Sequence, residues 1–387
     1  MEGKRLIEKI RLRNILSFGD KAEEIELQPL NIIIGQNASG KSNLVDVIKL
    51  LRSLPQNKGL INFISRNGGI SEWIWKGKKT DYEAVITVHS KMRKRKRDQK
   101  EYYFEPISYE IGFAMGIDQR TNFVEEFIKS SKETRTRSKL ISEKKDIKPE
   151  DSVLLTLSNA SSGEWFPESY YFELCFQNFI VYSELSTSRS SDIRKPQTPD
   201  APNKFLEEDA SNLALVLNDL EHRGDTKDII VENLKKFNPR IKDYSIRILG
   251  GTVQLFIREE GLEKPISAMR LSDGTLRYLC LLAILCHPEP PPLICIEEPE
   301  VGLHPDILPT IAELMKEASQ RTQLIVTTHS DILVSAFSDM PEAVLVCEKD
   351  EDGTHFKRLE ADKLKVWLEE YTLGEAWLRG AIGGTRW

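Results

Sequence analysis

Short apolar runs and period-two alternation mark the first third of the chain, and an α/β alternation marks the last third. Positions 7–13, 24–27 and 30–34 predict three short strands of one small sheet, the third almost wholly apolar. Leu44, Val45, Val47, Ile48, Leu50 and Leu51 then recur at helical spacing until Leu54-Pro55 breaks the pattern. Residues 84–89 and 102–113 predict antiparallel strands, alternating clearly over 109–113. Positions 129–151 are polar and without apolar period, which predicts a mobile loop or an exposed helix. The aromatic run at 170–183 predicts a buried strand or strand pair. Residues 186–204, rich in Ser, Pro and Asp, predict an ordered loop or linker. Asp209 or Ser211 can cap a helix reaching Leu220, followed by a helix over 227–237 and strands over 244–249 and 253–258. From there helices at 274–286, 306–319 and 331–337 alternate with strands at 293–297, 323–327 and 343–347. No stretch sustains the heptads of a coiled coil, and no internal repeat is present.

Length and composition narrow the class. A chain of 387 residues holds two domains or one domain with large insertions. No run approaches the roughly 18 apolar residues of a membrane span, and the opening MEGKRLIEKI is no signal peptide. Cys175, Cys280, Cys286, Cys295 and Cys347 form no C-x-x-C pair and mostly lie in apolar segments. They read as reduced core residues, so a cytoplasmic protein without membrane attachment is expected. The net charge of −6 argues against a uniformly basic surface but permits a local basic groove. The run Lys91–Arg97 is either such a contact for nucleic-acid backbone or a solvated loop.

Chemistry concentrates at four places. Residues 35–42 read Gly35-Gln36-Asn37-Ala38-Ser39-Gly40-Lys41-Ser42, between the apolar strand and the amphipathic helix. This is G-x-x-x-x-G-K-[ST], whose backbone amides wrap nucleotide phosphates. Its glycines allow close approach, the helix start presents free N–H groups, Lys41 reaches the β- and γ-phosphates, and Ser42 ligates Mg²⁺. The nucleotide-binding set continues to Asn43. At 293–298, four apolar residues run into Glu297 and Glu298, placing two carboxylates at the carboxyl end of a buried strand. Glu297 would hold Mg²⁺ and Glu298 would orient and deprotonate the attacking water. A further strand ends at His329, which can contact the γ-phosphate or polarise that water. Ser272 and Gly274 open a helix and form a second phosphate-binding end, which predicts one nucleotide clamped between two copies.

Together these segments resemble the ABC-type ATPase heads of the SMC/RecF group, and especially the short RecF-like and OLD-like ATPases of bacterial phage-defence clusters. The resemblance covers residues 1–55 and 265–345. It implies that 35–42 is the Walker A loop, Glu297 and Glu298 Walker B, His329 the switch histidine, and 271–275 the signature loop. Residues 302–305 then correspond to the D-loop, while Arg11 to Asn14 and Phe18 lie beside adenine. Three departures stand out: Glu297 where Asp is usual, LSDGT for LSGGQ, and no certain Q-loop, for which Gln177 is the candidate metal-side residue.

The implied fold is an α/β P-loop ATPase head with an antiparallel β subdomain and a compact inserted lobe, without a long coiled coil. Residues 1–90 and 240–348 would form the discontinuous head, 91–239 the lobe, and 349–387 a hairpin and helix tail. The implied function is an ATP- and Mg²⁺-dependent ATPase switch, a homodimer through its ATP sites or a higher oligomer. It would control DNA or an effector protein, such as a nuclease or toxin, without nuclease activity of its own. A RecF-like DNA-binding repair ATPase is the alternative; a transporter subunit fits less well. Val344 to Asp352 reads better as a β-hairpin than as a metal-binding fragment. Trp377 either docks a partner or covers the chain's own core.

Overall fold

The computed structural model describes residues 3–78, 82–95, 102–130, 134–136, 150–158 and 167–384. Fifteen strands form three sheets among these residues. The first is antiparallel, in the order β2 (Glu23–Glu26), β1 (Ile7–Arg13), β4 (Ala84–Arg95), β5 (Tyr102–Met115), β6 (Thr121–Ser130), β7 (Thr134–Thr136). The second runs β15 (Gly353–Arg358), β14 (Val344–Asp350), β3 (Leu30–Gly35), β13 (Gln323–Thr327), β12 (Leu293–Glu297), β8 (Phe179–Tyr182). All its pairings are parallel except β14–β15. A third, small sheet joins β11 (Ile266–Ser267), β10 (Thr252–Glu259) and β9 (Ile241–Leu249).

The second sheet is covered on both faces, which is why β3, β12 and β13 read as apolar runs and not as alternation. Ile32, Ile34, Ile294, Ile296, Leu324 and Val326 face one core, shared with helices Leu213–Leu220, Asp273–Leu285 and Leu308–Ala318. Ile33, Leu293, Cys295 and Ile325 face the other, shared with helix Lys41–Ser53 and the antiparallel sheet. All five cysteines are buried and free, as their apolar settings imply. Trp377 is buried, its indole N–H donating to Gly384 O at 2.7 Å, so it closes the chain's own core. No described helix is long and apolar enough to cross a membrane.

Several sequence expectations change. The first three strands do not share one sheet: β1 and β2 belong to the antiparallel sheet, whereas β3 is central in the parallel one. Residues 170–183 are not a strand pair. Helix Pro167–Gln177 precedes β8, and its buried positions Phe172, Cys175 and Phe176 follow a helical period that the aromatic content hides. The helix after 211 is capped at Asn212, not at Asp209 or Ser211. Lys91 to Arg95 continue β4, paired with β5, so the basic run begins inside a strand. Lys96 and Arg97, most of 129–151, and 385–387 lie outside the described residues. Ser130 and residues 134–136 are nonetheless in strands β6 and β7. Within the segment expected as an inserted lobe, β5 and β6 join the antiparallel sheet and β8 the parallel one. The 344–358 segment is a hairpin closed between Asp350 and Gly353.

Glu23 and Arg358 each bond between β2 and β15 of the two large sheets, and a buried glutamine fastens them elsewhere. Gln323, fully buried at the start of β13, accepts from Ile7 N at 2.8 Å and donates to Ile7 O at 2.8 Å and Gln28 O at 3.0 Å. Replacing it by leucine strands those backbone groups, each costing about 1–3 kcal/mol when buried and unpaired. Gln323→Leu should therefore lower unfolding free energy by about 3 kcal/mol in urea titration.

Candidate functional site

The parallel register decides what meets at the carboxyl edge of the second sheet. Glu297 stands opposite Thr327, and Thr327 opposite Ile33, so three chain ends leave the sheet side by side. They carry the acidic pair, His329 and the glycine-rich turn.

The turn is built around two glycines. Gly35 has φ 152°, and a Cβ there would lie 2.2 Å from Cys347 O. Gly40 has φ 112°, and a Cβ there would lie 2.3 Å from Thr354 Oγ1. The hairpin β14–β15 therefore presses against the turn, with Thr354 Oγ1 donating to Ser39 O at 2.7 Å. Gln36, Asn37 and Ala38 are exposed at its crest, and Ala38 takes φ 62°. Lys41, buried at the first residue of the helix, donates to Gly35 O at 2.9 Å and Gln36 O at 2.8 Å. Burial pulls its ammonium pKa down, and the Glu298 carboxylate opposes that pull. Ser42 is exposed at the helix start, and Asn43 Nδ2 donates to Ser17 Oγ at 2.6 Å.

Glu297 is half-buried, with Lys49 Nζ 3.7 Å from its carboxylate. Glu298 is more open, its side chain 49% exposed, and His329 Nε2 stands 3.7 Å from Glu298 Oε1. Its backbone is left-handed, with φ 47°. Glu298 N donates to Thr327 O at 2.9 Å, while Glu298 O accepts from Val301 N at 3.1 Å and from Arg277 Nη2 at 3.1 Å. Glu300 Oε1 accepts from Thr328 Oγ1 at 2.7 Å and from His329 N at 2.8 Å, fixing the chain at and just before the histidine. Ser272 caps helix Asp273–Leu285, its hydroxyl accepting from Thr275 N at 3.1 Å, and Asp273 pairs with Arg194.

The structure thus gathers Lys41, Ser42, Glu297, Glu298 and His329 at one sheet edge. Ser42 and Glu297 offer hard oxygen donors, the set a Mg²⁺ bound mainly through phosphates and water requires. Gln177 is not brought there. It is exposed at the end of its helix, bonded to Glu173 Oε1 at 3.0 Å, and precedes β8, whose first residue Phe179 pairs with Leu293. It therefore sits at the edge opposite to Glu297. The residue leaving β8 on the correct side is Glu184, whose charge reaches Arg277.

Sequence reasoning missed Lys49, Glu184, Arg277 and Glu300. Lys49 lies two turns beyond Lys41 on one helix, a spacing that could have flagged it. Glu184 was hidden by the misread of 170–183. Arg277 is buried within an apolar helix, where burial pushes its guanidinium pKa down against nearby carboxylates including Glu300, Glu184 and Glu298.

Comparisons with known proteins bear on the family and the fold. A family model described as "AAA domain, putative AbiEii toxin, Type IV TA system" matches residues 30–335. Among curated relatives, the phosphate import ATP-binding protein PstB 2 of Trichormus variabilis is 28% identical over 139 residues, 36% of this chain and 42% of that protein. The chain thus spans about two fifths of that relative's length. An Smc head bound to the C-terminal winged-helix domain of ScpA superposes with TM-score 0.57 at 16% identity, covering 93% of this chain and 99% of that one. A second Smc head, with an extended coiled coil and bound to the C-terminal domain of ScpA derived from Pyrococcus furiosus, gives 0.54 at 16% identity, covering 94% and 99%. At such identities these structures speak for the fold: an α/β head of SMC and ABC type, without a long coiled coil among the described residues of this chain.

Because Gly35 has no room for a methyl group and a φ that favours glycine, Gly35→Ala should displace the turn. The expected result is at least a ~10-fold loss of affinity for a fluorescent ATP analogue, about 1.4 kcal/mol.

Proposed function

The chain belongs to this AAA-domain family of ATP-binding, SMC- and ABC-like P-loop ATPases, and from that premise we propose that it is an ATP-hydrolysing switch working as a homodimer. Two copies close around Mg·ATP, each nucleotide held by the Walker A turn of one copy and the Ser272–Gly274 helix tip of the other. The supporting observation is the 3.7 Å approach of His329 to Glu298, at the sheet edge that also carries Lys41.

In this reading Gly35 to Asn43 cradle the phosphates through backbone amides, and Lys41 exchanges two carbonyl partners for phosphate oxygens. Ser42 and Glu297 would hold Mg²⁺, whose contribution there would be to neutralise phosphate charge. Glu298 accepts a proton from the attacking water, and His329 orients its carboxylate or faces the γ-phosphate. Ser272 and Gly274 reach the partner's nucleotide, so a complete site requires both copies. Closure would pass to an effector through segment 91–239, whose β5, β6 and β8 are built into the sheets of the head formed by 1–90 and 240–348, with 349–387 bracing the turn. A nuclease or toxin partner in phage defence agrees with the toxin–antitoxin description of the family, and the chemistry suits a cytoplasmic setting. Effector control is preferred here to DNA repair because the chain is acidic overall and Lys91 already pairs with Glu8 at 2.6 Å. A steep salt dependence of DNA affinity, lost on neutralising Lys91 to Arg97, would reverse that preference.

Lys41→Ala should abolish nucleotide binding in calorimetry; unchanged affinity would sink the phosphate-loop assignment. Glu298→Gln should bind ATP normally, lose turnover by ~10²-fold or more and accumulate an ATP-bound dimer in light scattering. Wild-type turnover per subunit should fall on dilution, because each site needs two chains.

A further inference from the structure

Glu298 holds an unusual backbone. Left-handed φ in a glutamate is strained and persists only where surroundings enforce it. Three bonds enforce it here: Glu298 N to Thr327 O, and Val301 N and Arg277 Nη2 to Glu298 O. The first two belong to the strand end and its turn. The third comes from helix Asp273–Leu285, one turn past Ser272 and Gly274.

Arg277 is 8% exposed and spends its guanidinium on main-chain carbonyls: Glu298 O at 3.1 Å and Leu185 O at 3.4 Å. Its Nε lacks a partner. A buried arginine without a direct carboxylate partner is expensive, so simple packing does not account for it. The same helix touches the acidic turn at a second point. A Cβ on Gly274 would lie 3.0 Å from Gly302 O, and one on Gly302 would lie 3.9 Å from Arg277 Cδ. The helix tip, the Gly302 turn and the carbonyl of Glu298 are thus packed as one unit.

We propose that Arg277 is a positioning residue that couples the Ser272–Gly274 helix tip to the backbone geometry of Glu298. The inference rests on the proposed function, in which that tip contacts the partner's nucleotide and Glu298 is the base. A shift of the helix on dimer closure moves the guanidinium, which moves the Glu298 carbonyl and re-aims the carboxylate from its strained φ. One copy's grip on its partner's ATP thereby tunes hydrolysis in its own site.

The test is a double-mutant cycle on full-length protein with ATP and Mg²⁺, using Ser272→Ala and Arg277→Met. Arg277→Met should keep ATP affinity and KM within about twofold while kcat falls ~10–100-fold, the scale of a misplaced catalytic group. In the Glu298→Gln background it should still form the ATP-bound dimer. Ser272→Ala should lower kcat in otherwise wild-type protein yet change it less than about twofold once Arg277 is gone. Arg277→Lys, which retains one donor for Glu298 O, should recover part of the rate. Should Arg277→Met fail to melt cooperatively, the same cycle run on Arg277→Lys decides. Additive losses, or wild-type kcat without Arg277, overturn the coupling. Normal hydrolysis by Glu298→Gln sinks the proposed function itself; a dead Glu298→Gln beside a normal Arg277 variant sinks only this inference.

Discussion

Parallel register between β3, β13 and β12 is the constraint on which the site depends. Adjacent strands lie about 4.8 Å apart, so Ile33, Thr327 and Glu297, level with one another, span only about 10 Å across the sheet. The segments leaving these strands must then converge: a glycine-rich turn, a histidine and two carboxylates. A slip of one residue would send Glu297 to the wrong face and bury Glu298 in its place. Ile32, Ile33 and Ile34, pointing alternately into two separate cores, make such a slip prohibitive. The chemistry is therefore held by apolar packing remote from it.

The same logic explains what could be read from the sequence. Gly35 to Ser42 announce themselves because glycine at fixed spacing, flanked by a strand and a helix, serves few purposes other than phosphate approach. Glu297 and Glu298 were legible because charge at the end of a four-residue apolar run needs a reason. Gln177 failed for a topological cause. Phe172, Cys175, Phe176 and Phe179 suit a buried strand by composition and a helix by spacing, and reading composition first reversed the end of the sheet at which the segment emerges. Arg277 and Gln323 were invisible because each bonds to main chain far away in sequence, and a sequence pattern records no such partner.

Gln323 also shows how the antiparallel sheet enters the site's mechanics. Its carboxamide ties Ile7 and Gln28 to the base of β13, the strand that ends beside His329. At the other end of that strand Glu300 secures Thr328 and the histidine amide. The strand is anchored at both termini, so His329 leaves it two residues beyond Thr327 from a fixed point, its amide held by Glu300.

Lys41 lends its charge to the carbonyls of Gly35 and Gln36, in a setting where burial disfavours that charge. Phosphate oxygens are stronger acceptors for an ammonium than amide carbonyls, so binding relieves the burial penalty and frees both carbonyls at once. Gly35 is wedged against Cys347 O and therefore cannot absorb this change locally. Thr354 of the hairpin β14–β15 bonds Ser39 O and Lys41 opens the following helix, so both elements are joined directly to the turn where the partners change. A turn braced on both sides has little room to adjust alone, so a change of hydrogen-bond partner there bears on the elements that hold it.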